Sequence, residues 1–151
     1  MSDTGRQHPA KGVSISLSEP TIVFLTVCTA NRHPWLACSQ AHQLILDAWK
    51  SANRWSVGRY VLMPDHVHLF CAPCEPPTQL DTWVRFWKSH ISRNSADQAW
   101  RWQPDFWDRR LRRQESYAEK WEYVRENPVR AGFVKNPADW PFQGVIHEMR
   151  W

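Results

Sequence analysis

The sequence predicts an α+β fold: a single antiparallel β-sheet of the ferredoxin-like split β-α-β kind, backed by helices, with an extra helix near the C-terminal end. Three observations predict it. Short β-branched and aromatic runs begin at Ile22, Gly58 and His66. Apolar residues recur at helical spacing after Gln40, Leu80 and Ser116. The resulting order of strand, helix, two strands, helix and strand is that of a split β-α-β unit. At 151 residues the chain suits one domain with a real core.

Taken in order, residues 1–20 are polar and carry no periodicity, which reads as a flexible tail before a single domain over 21–151. No apolar stretch resembles a signal peptide or reaches the length of a membrane span, so the expectation is a soluble, cytoplasmic protein with no membrane partner. Ile22–Thr29 reads as the first strand. Gln40–Ala52 places Leu44, Ile45, Ala48, Trp49 and Ala52 on one helical face. Gly58–Met63 and His66–Ala72 are strands joined by Pro64-Asp65 as a hairpin turn. Leu80, Trp83, Val84, Trp87 and Ile91 mark a second amphipathic helix, and a short strand is expected near Trp100–Trp107. Ser116 with Glu119 has the spacing of a capping box opening a third helix, which should end at Asn127 because Pro128 pushes its predecessor out of the α region.

Lys and Arg number 19 against 15 Asp and Glu, a net charge of +4. That is a mild bias toward polyanions. The distribution is more pointed. Arg109, Arg110, Arg112 and Arg113 follow Trp100, Trp102, Phe106 and Trp107. Guanidinium groups for phosphates beside aromatic rings for base faces suit a single-stranded nucleic acid, though a solvated charged face next to core tryptophans has the same composition. Cys71 and Cys74 have the spacing of half a zinc site, but Cys28 and Cys38 lack the matching half. Cys28 and Cys71 sit in apolar runs, where a free cysteine acts as a small hydrophobe.

The chemistry concentrates in two segments. Strand side chains alternate, so His66 and His68 project from one face and can form a bidentate metal site; two satisfied surface histidines would share the spacing. On the third helix Tyr117, Trp121 and Val124 form a packing stripe. Tyr123 lies roughly 200° around from Trp121, and Asn127, four residues on, shares its face. A phenol and an amide thus stand together away from the stripe.

Met63-Pro-Asp-His-Val-His-Leu69, Phe106-Trp-Asp-Arg109, Tyr123-Val-Arg-Glu-Asn-Pro-Val-Arg-Ala-Gly132 and Asp139-Trp-Pro141 together resemble the single-tyrosine HUH transposases, and within them the REP-associated tyrosine transposases. The resemblance runs from about Thr21 to Phe142; Asp65 stands where the family commonly has Asn. It implies that His66 and His68 ligate a divalent metal, Mg²⁺ or Mn²⁺, that Asn127 matches the third ligand, and that Tyr123 is the nucleophile. It also implies single-stranded DNA with a short flanking hairpin as partner, a 5′-phosphotyrosine intermediate with a free 3′-OH, and a monomer or homodimer as acting unit. Candidate phosphate contacts are Arg109, Arg110, Arg112, Arg113, Lys120 and Arg130. Two other readings stay open: a DNA-binding regulator that keeps the fold without catalysis, and an HUH replication initiator or relaxase, which usually needs a longer chain.

Overall fold

The computed structural model describes residues 21–112 and 114–149. The tail over 1–20 and Arg113 lie outside the described residues. The elements run β1 (Ile22–Cys28), a 3₁₀ turn (Ala30–Arg32), α1 (Ser39–Ser51), β2 (Trp55–Met63), β3 (His66–Pro73), α2 (Leu80–Asn94), β4 (Trp107–Leu111), α3 (Gln114–Arg125), α4 (Asn127–Arg130), a second 3₁₀ turn (Pro137–Asp139) and β5 (Gln143–Val145). The strands form one sheet in the order β4-β1-β3-β2-β5, and every pairing is antiparallel. Its first four strands have the ferredoxin-like arrangement, and β5 extends the β2 edge.

Period-two alternation decides what each face carries. Val23, Leu25 and Val27 of β1 stand opposite Cys71, Leu69 and Val67 of β3. All six are buried, packed against Ile45, Ala48 and Trp49 of α1 and Leu80, Trp83, Val84, Trp87 and Ile91 of α2. Tryptophan supplies much of this layer, and its indole N–H groups are in part satisfied by backbone: Trp83 Nε1 donates to Ala52 O at 2.7 Å and Trp55 Nε1 to Thr78 O at 2.8 Å. A register shift in β2 between Val57 and Tyr60 puts both residues on this core face although they are three apart. Tyr60 is thereby buried and shares a 2.7 Å hydrogen bond with His42 Nε2. Across the edge, β5 approaches so closely that a Cβ on Gly144 would meet the Tyr60 hydroxyl at 2.8 Å.

The other face is covered by α3. Phe70 meets Tyr117 edge-on with ring centroids 4.8 Å apart, and Trp121 at 6.3 Å. Val124 is buried with Val61, Met63 and Trp140. The stripe Tyr117, Trp121, Val124 is therefore the face that α3 buries, and the helix additional to the split β-α-β unit closes the second side of the sheet.

Several sequence expectations shift. The strand expected near Trp100–Trp107 forms over Trp107–Leu111, and Trp102 makes an isolated bridge to Thr29. Arg109 and Arg110 thus belong to a strand; β4 is at the sheet edge, where charged side chains are tolerated. Helix α3 begins at Gln114, so Ser116 lies inside its first turn and is not an N-cap. It ends at Arg125, and Pro128 sits in the first turn of α4, where its missing N–H leaves no bond unmade. The Pro64-Asp65 hairpin turn falls as expected, with Met63 opposite His66.

Two stability outcomes follow from this packing. Leu69→Ala, at a fully buried position, should lower the unfolding free energy in urea by about 2–5 kcal/mol, whereas Phe86→Ala, 46% exposed, should stay within about 0.5 kcal/mol. Burial pushes the Tyr60 phenol up to about 12. Because the unfolded chain ionises near its ordinary value of about 10, stability is full below that pH and falls as pH rises toward 12, by up to about 3 kcal/mol. Tyr60→Phe should flatten that alkaline loss, read from urea melts between pH 9 and 12; an equal loss in the variant would contradict the assignment.

Candidate active site

Because Val67, Leu69 and Cys71 point into the α1/α2 layer, His66, His68 and Phe70 must point to the opposite face, the one on which α3 packs. The two imidazoles lie edge to face with centroids 4.7 Å apart. Each has its Nδ1 engaged: His68 with the Thr26 hydroxyl at 2.8 Å and His66 with the Asp65 carboxylate at 2.8 Å. Phe24 stacks on His68 at 5.3 Å. Burial drives His68 down to about 3, and the positive fields of His66, Lys120 and Arg130 push the same way. Burial also lowers His66 and outweighs the opposing effect of the hydrogen bond that its ring donates to the Asp65 carboxylate. Both rings are therefore neutral at physiological pH, with Nε2 the remaining nitrogen for a ligand bond.

Asp65 is held from two sides. Burial raises its carboxyl, but hydrogen bonds with His66 and Arg32 outweigh this and keep it below the ordinary carboxylate range. The Arg32 Nε–Oδ2 distance is 3.0 Å.

Tyr123 is 62% exposed, on the side of α3 away from the buried stripe. Two cations accompany it. The Arg130 guanidinium sits 3.9 Å from its ring centroid and donates to the Tyr123 carbonyl at 2.8 Å. The Lys120 ammonium stands 6.0 Å from the Tyr123 ring and 5.2 Å from the Phe24 ring, which itself stacks on His68. Burial and the charge of Arg109 lower the Lys120 ammonium below its ordinary value. Lys120 and Arg130 thus connect the tyrosine side to the histidine side, both flanking the phenol and both close enough to act on His68.

Arg109, Arg110, Arg112, Ser116, Glu119, Lys120 and Tyr123 line one cavity of about 550 Å³. The strand register separates the arginines. Arg109 stands opposite Phe24, on the histidine face, while Arg110 stands opposite Val23. Trp107 pairs with Thr26, whose other neighbour is His68, so an exposed indole shares the histidine face. Asn127 opens α4 and its side-chain oxygen accepts a hydrogen bond from Arg130. The structure thus puts Asn127 in the group around Tyr123, with its amide oxygen occupied. Among the described residues no cluster of three or more His, Cys, Asp or Glu side chains could hold an ion, and no helix is long and apolar enough to cross a membrane. Cys28 and Cys71 are buried, and Cys38 accepts the Ala41 N–H at the start of α1.

Sequence reasoning missed Thr26, Phe24, Arg32 and the role of Asp65. Thr26 and Phe24 alternate with buried Leu25, a signal for their shared face. Nothing local in the sequence brings Arg32 to Asp65, 33 residues away.

No protein-family model matches the chain. It is 29% identical over 122 residues to the REP-associated tyrosine transposase of Escherichia coli K12, covering 79% of this chain and 73% of that protein. A solved REP-associated tyrosine transposase bound to a REP hairpin superposes with a TM-score of 0.74 at 27% identity, over 95% of this chain and 82% of that one. A solved chain from Deinococcus radiodurans shares the fold, with a TM-score of 0.52 at 21% identity over 76% of this chain and 92% of its own. In sequence and in fold, the chain is similar to the REP-associated tyrosine transposases.

Proposed function

We propose that the chain is a transposase acting as a metal-dependent single-stranded DNA endonuclease and strand transferase, with Tyr123 as nucleophile and a hairpin beside the cleaved strand. The observation that carries this reading is the pair of neutral histidines on β3, joined through Lys120 and Arg130 to an exposed tyrosine at the mouth of an arginine-lined cavity. The hairpin partner is carried over from the relative solved with one.

His66 and His68 would hold a divalent ion through Nε2, and two neutral imidazoles whose Nδ1 atoms are anchored fit that task. Mg²⁺ and Mn²⁺ are the candidates, and nitrogen donors suit Mn²⁺ better than the harder Mg²⁺. When bound, the ion would supply Lewis acidity and orientation at a phosphate oxygen. Asn127 would join as third ligand once Arg130 releases its amide oxygen, an exchange that phosphate, a better partner for guanidinium, would favour.

In the cleavage step the Tyr123 hydroxyl oxygen bonds to the scissile phosphorus and the bond from phosphorus to the 3′ oxygen breaks. The phenolic proton passes to solvent, and the departing 3′ oxygen takes a proton to leave as 3′-OH. Arg130 and Lys120 meet the phosphate charge on either side of the phenol. The new phosphotyrosine ester retains the phosphodiester energy, so attack by a 3′-OH reverses the step without ATP. Within one chain Lys120 and Arg130 flank the Tyr123 ring and also act on His68, which supports a single copy as the acting unit.

Two outcomes check this reading. Tyr123→Phe removes one exposed oxygen; it should fold and bind hairpin DNA as the parent does, yet give neither nicked strand nor the covalent adduct seen on a denaturing gel. Undiminished adduct in Tyr123→Phe would reject the assignment, and DNA binding without any adduct in the parent protein would favour a regulator. Arg109→Gln with Arg112→Gln, both lining the cavity, should weaken single-strand binding and reduce the slope of log K against log salt by about 1.4, near 0.7 for each phosphate no longer neutralised. An unchanged slope would return both residues to an ordinary solvated surface.

A further inference from the structure

The two histidines are not held alike. His68 meets a threonine hydroxyl, which can donate or accept. His66 meets a carboxylate, which when ionised can only accept, so the proton must lie on His66 Nδ1 and the lone pair on Nε2. Asp65 is itself fixed by three further hydrogen bonds. Its backbone oxygen accepts from the Thr29 N–H at 3.0 Å and from the Thr29 hydroxyl at 3.2 Å, with Thr29 wholly buried. Its second side-chain oxygen takes the Arg32 Nε–H at 3.0 Å. Arg32 reaches it from a 3₁₀ turn in which Asn31 and Arg32 both adopt φ of 55°, a left-handed backbone that non-glycine residues enter at a cost. The cost is borne where it aims a guanidinium at the hairpin turn.

We propose that Asp65 is a positioning residue that fixes the tautomer and orientation of His66, with Arg32 as its brace, so that His66 Nε2 is presented to the metal before any ligand arrives. This rests on the reading of His66 and His68 as metal ligands. Asp65 spends both oxygens on His66 and Arg32 and so acts through the ring, whereas Thr26 leaves the tautomer of His68 free. The anchored ring is the one whose neighbour carries a full charge, which also makes its Nε2 the better donor.

The test begins without metal, on protein carrying ¹⁵N-labelled histidine. Two-bond ¹H–¹⁵N correlation should show His66 in the Nδ1–H tautomer in the parent chain. Asp65→Ala should shift His66 toward Nε2–H while the His68 signals and the thermal midpoint hold. Asp65→Asn, whose amide oxygen can accept the same hydrogen bond, should keep Nδ1–H. Calorimetry with MnCl₂ should then show affinity falling about 10-fold or more in Asp65→Ala, with most of it restored in Asp65→Asn. Arg32→Ala serves if Asp65→Ala does not fold, and should weaken Mn²⁺ severalfold with an unchanged midpoint. Retention of Nδ1–H and parental Mn²⁺ affinity in Asp65→Ala would overturn the proposal, and parental affinity in Arg32→Ala would overturn the brace. If the parent chain takes up no Mn²⁺ yet loses the Nδ1–H tautomer in Asp65→Ala, the metal reading fails while the hold of Asp65 on the ring stands.

Discussion

The antiparallel pairing of β1 with β3 is the constraint on which everything else depends. Leu25 opposite Leu69 and Val27 opposite Val67 bury one row of side chains under α1 and α2. With a side-chain period of two, that burial leaves His66, His68 and Phe70 no choice of face. A slip of one residue would exchange Leu69 for His68 in an apolar layer, leaving an imidazole there without Thr26. The site is thus specified by the hydrophobic core behind it, and its precision is inherited from the two central strands of the sheet.

On that face the helices divide the labour. The buried stripe of α3 stands on Phe70, Val61 and Met63 and fixes the helix, while Tyr123 and Lys120 on its other sides remain available. α4 then brings Arg130 back over the Tyr123 ring. The break between α3 and α4 makes this return possible. In an unbroken helix Arg130 would lie seven residues from Tyr123, two turns along the axis, rather than folded across its carbonyl. Positive charge is gathered around Tyr123 and neutral nitrogen at the histidine pair, the two environments that the proposed chemistry needs. Burial of the two rings, reinforced by the neighbouring cations, keeps the second environment from becoming the first.

Much of the fold is legible in the sequence because its signals are local. The alternation of β3, the five buried apolar residues of α2 and the Pro64-Asp65 turn each lie within a dozen or so residues. What escapes is either short or non-local. β5 has three residues and too little alternation to notice. β4 reads as a charged patch because an edge strand tolerates Arg109 and Arg110. Of the candidate site, periodicity places the two histidines on one strand face and Tyr123 off the packing stripe, whereas their roles as ligands and nucleophile come from the family resemblance. Asp65 shows only as a departure from a motif, because its partnership with Arg32 is made by the tertiary fold. Periodicity places Asn127 by extending α3 through a position where the chain instead starts a new helix, which is why its amide faces Arg130.

In the proposed centre, two sheet-borne imidazoles and one helix-borne phenol act on one phosphate with the help of a metal. Anomalous diffraction from crystals grown with hairpin DNA and MnCl₂ tests it most directly. The expected result is one manganese peak bonded to both His66 Nε2 and His68 Nε2, with the scissile phosphate between that peak and the Tyr123 hydroxyl. A DNA complex whose crystals cleave their strand yet show no manganese at the histidine pair would contradict it.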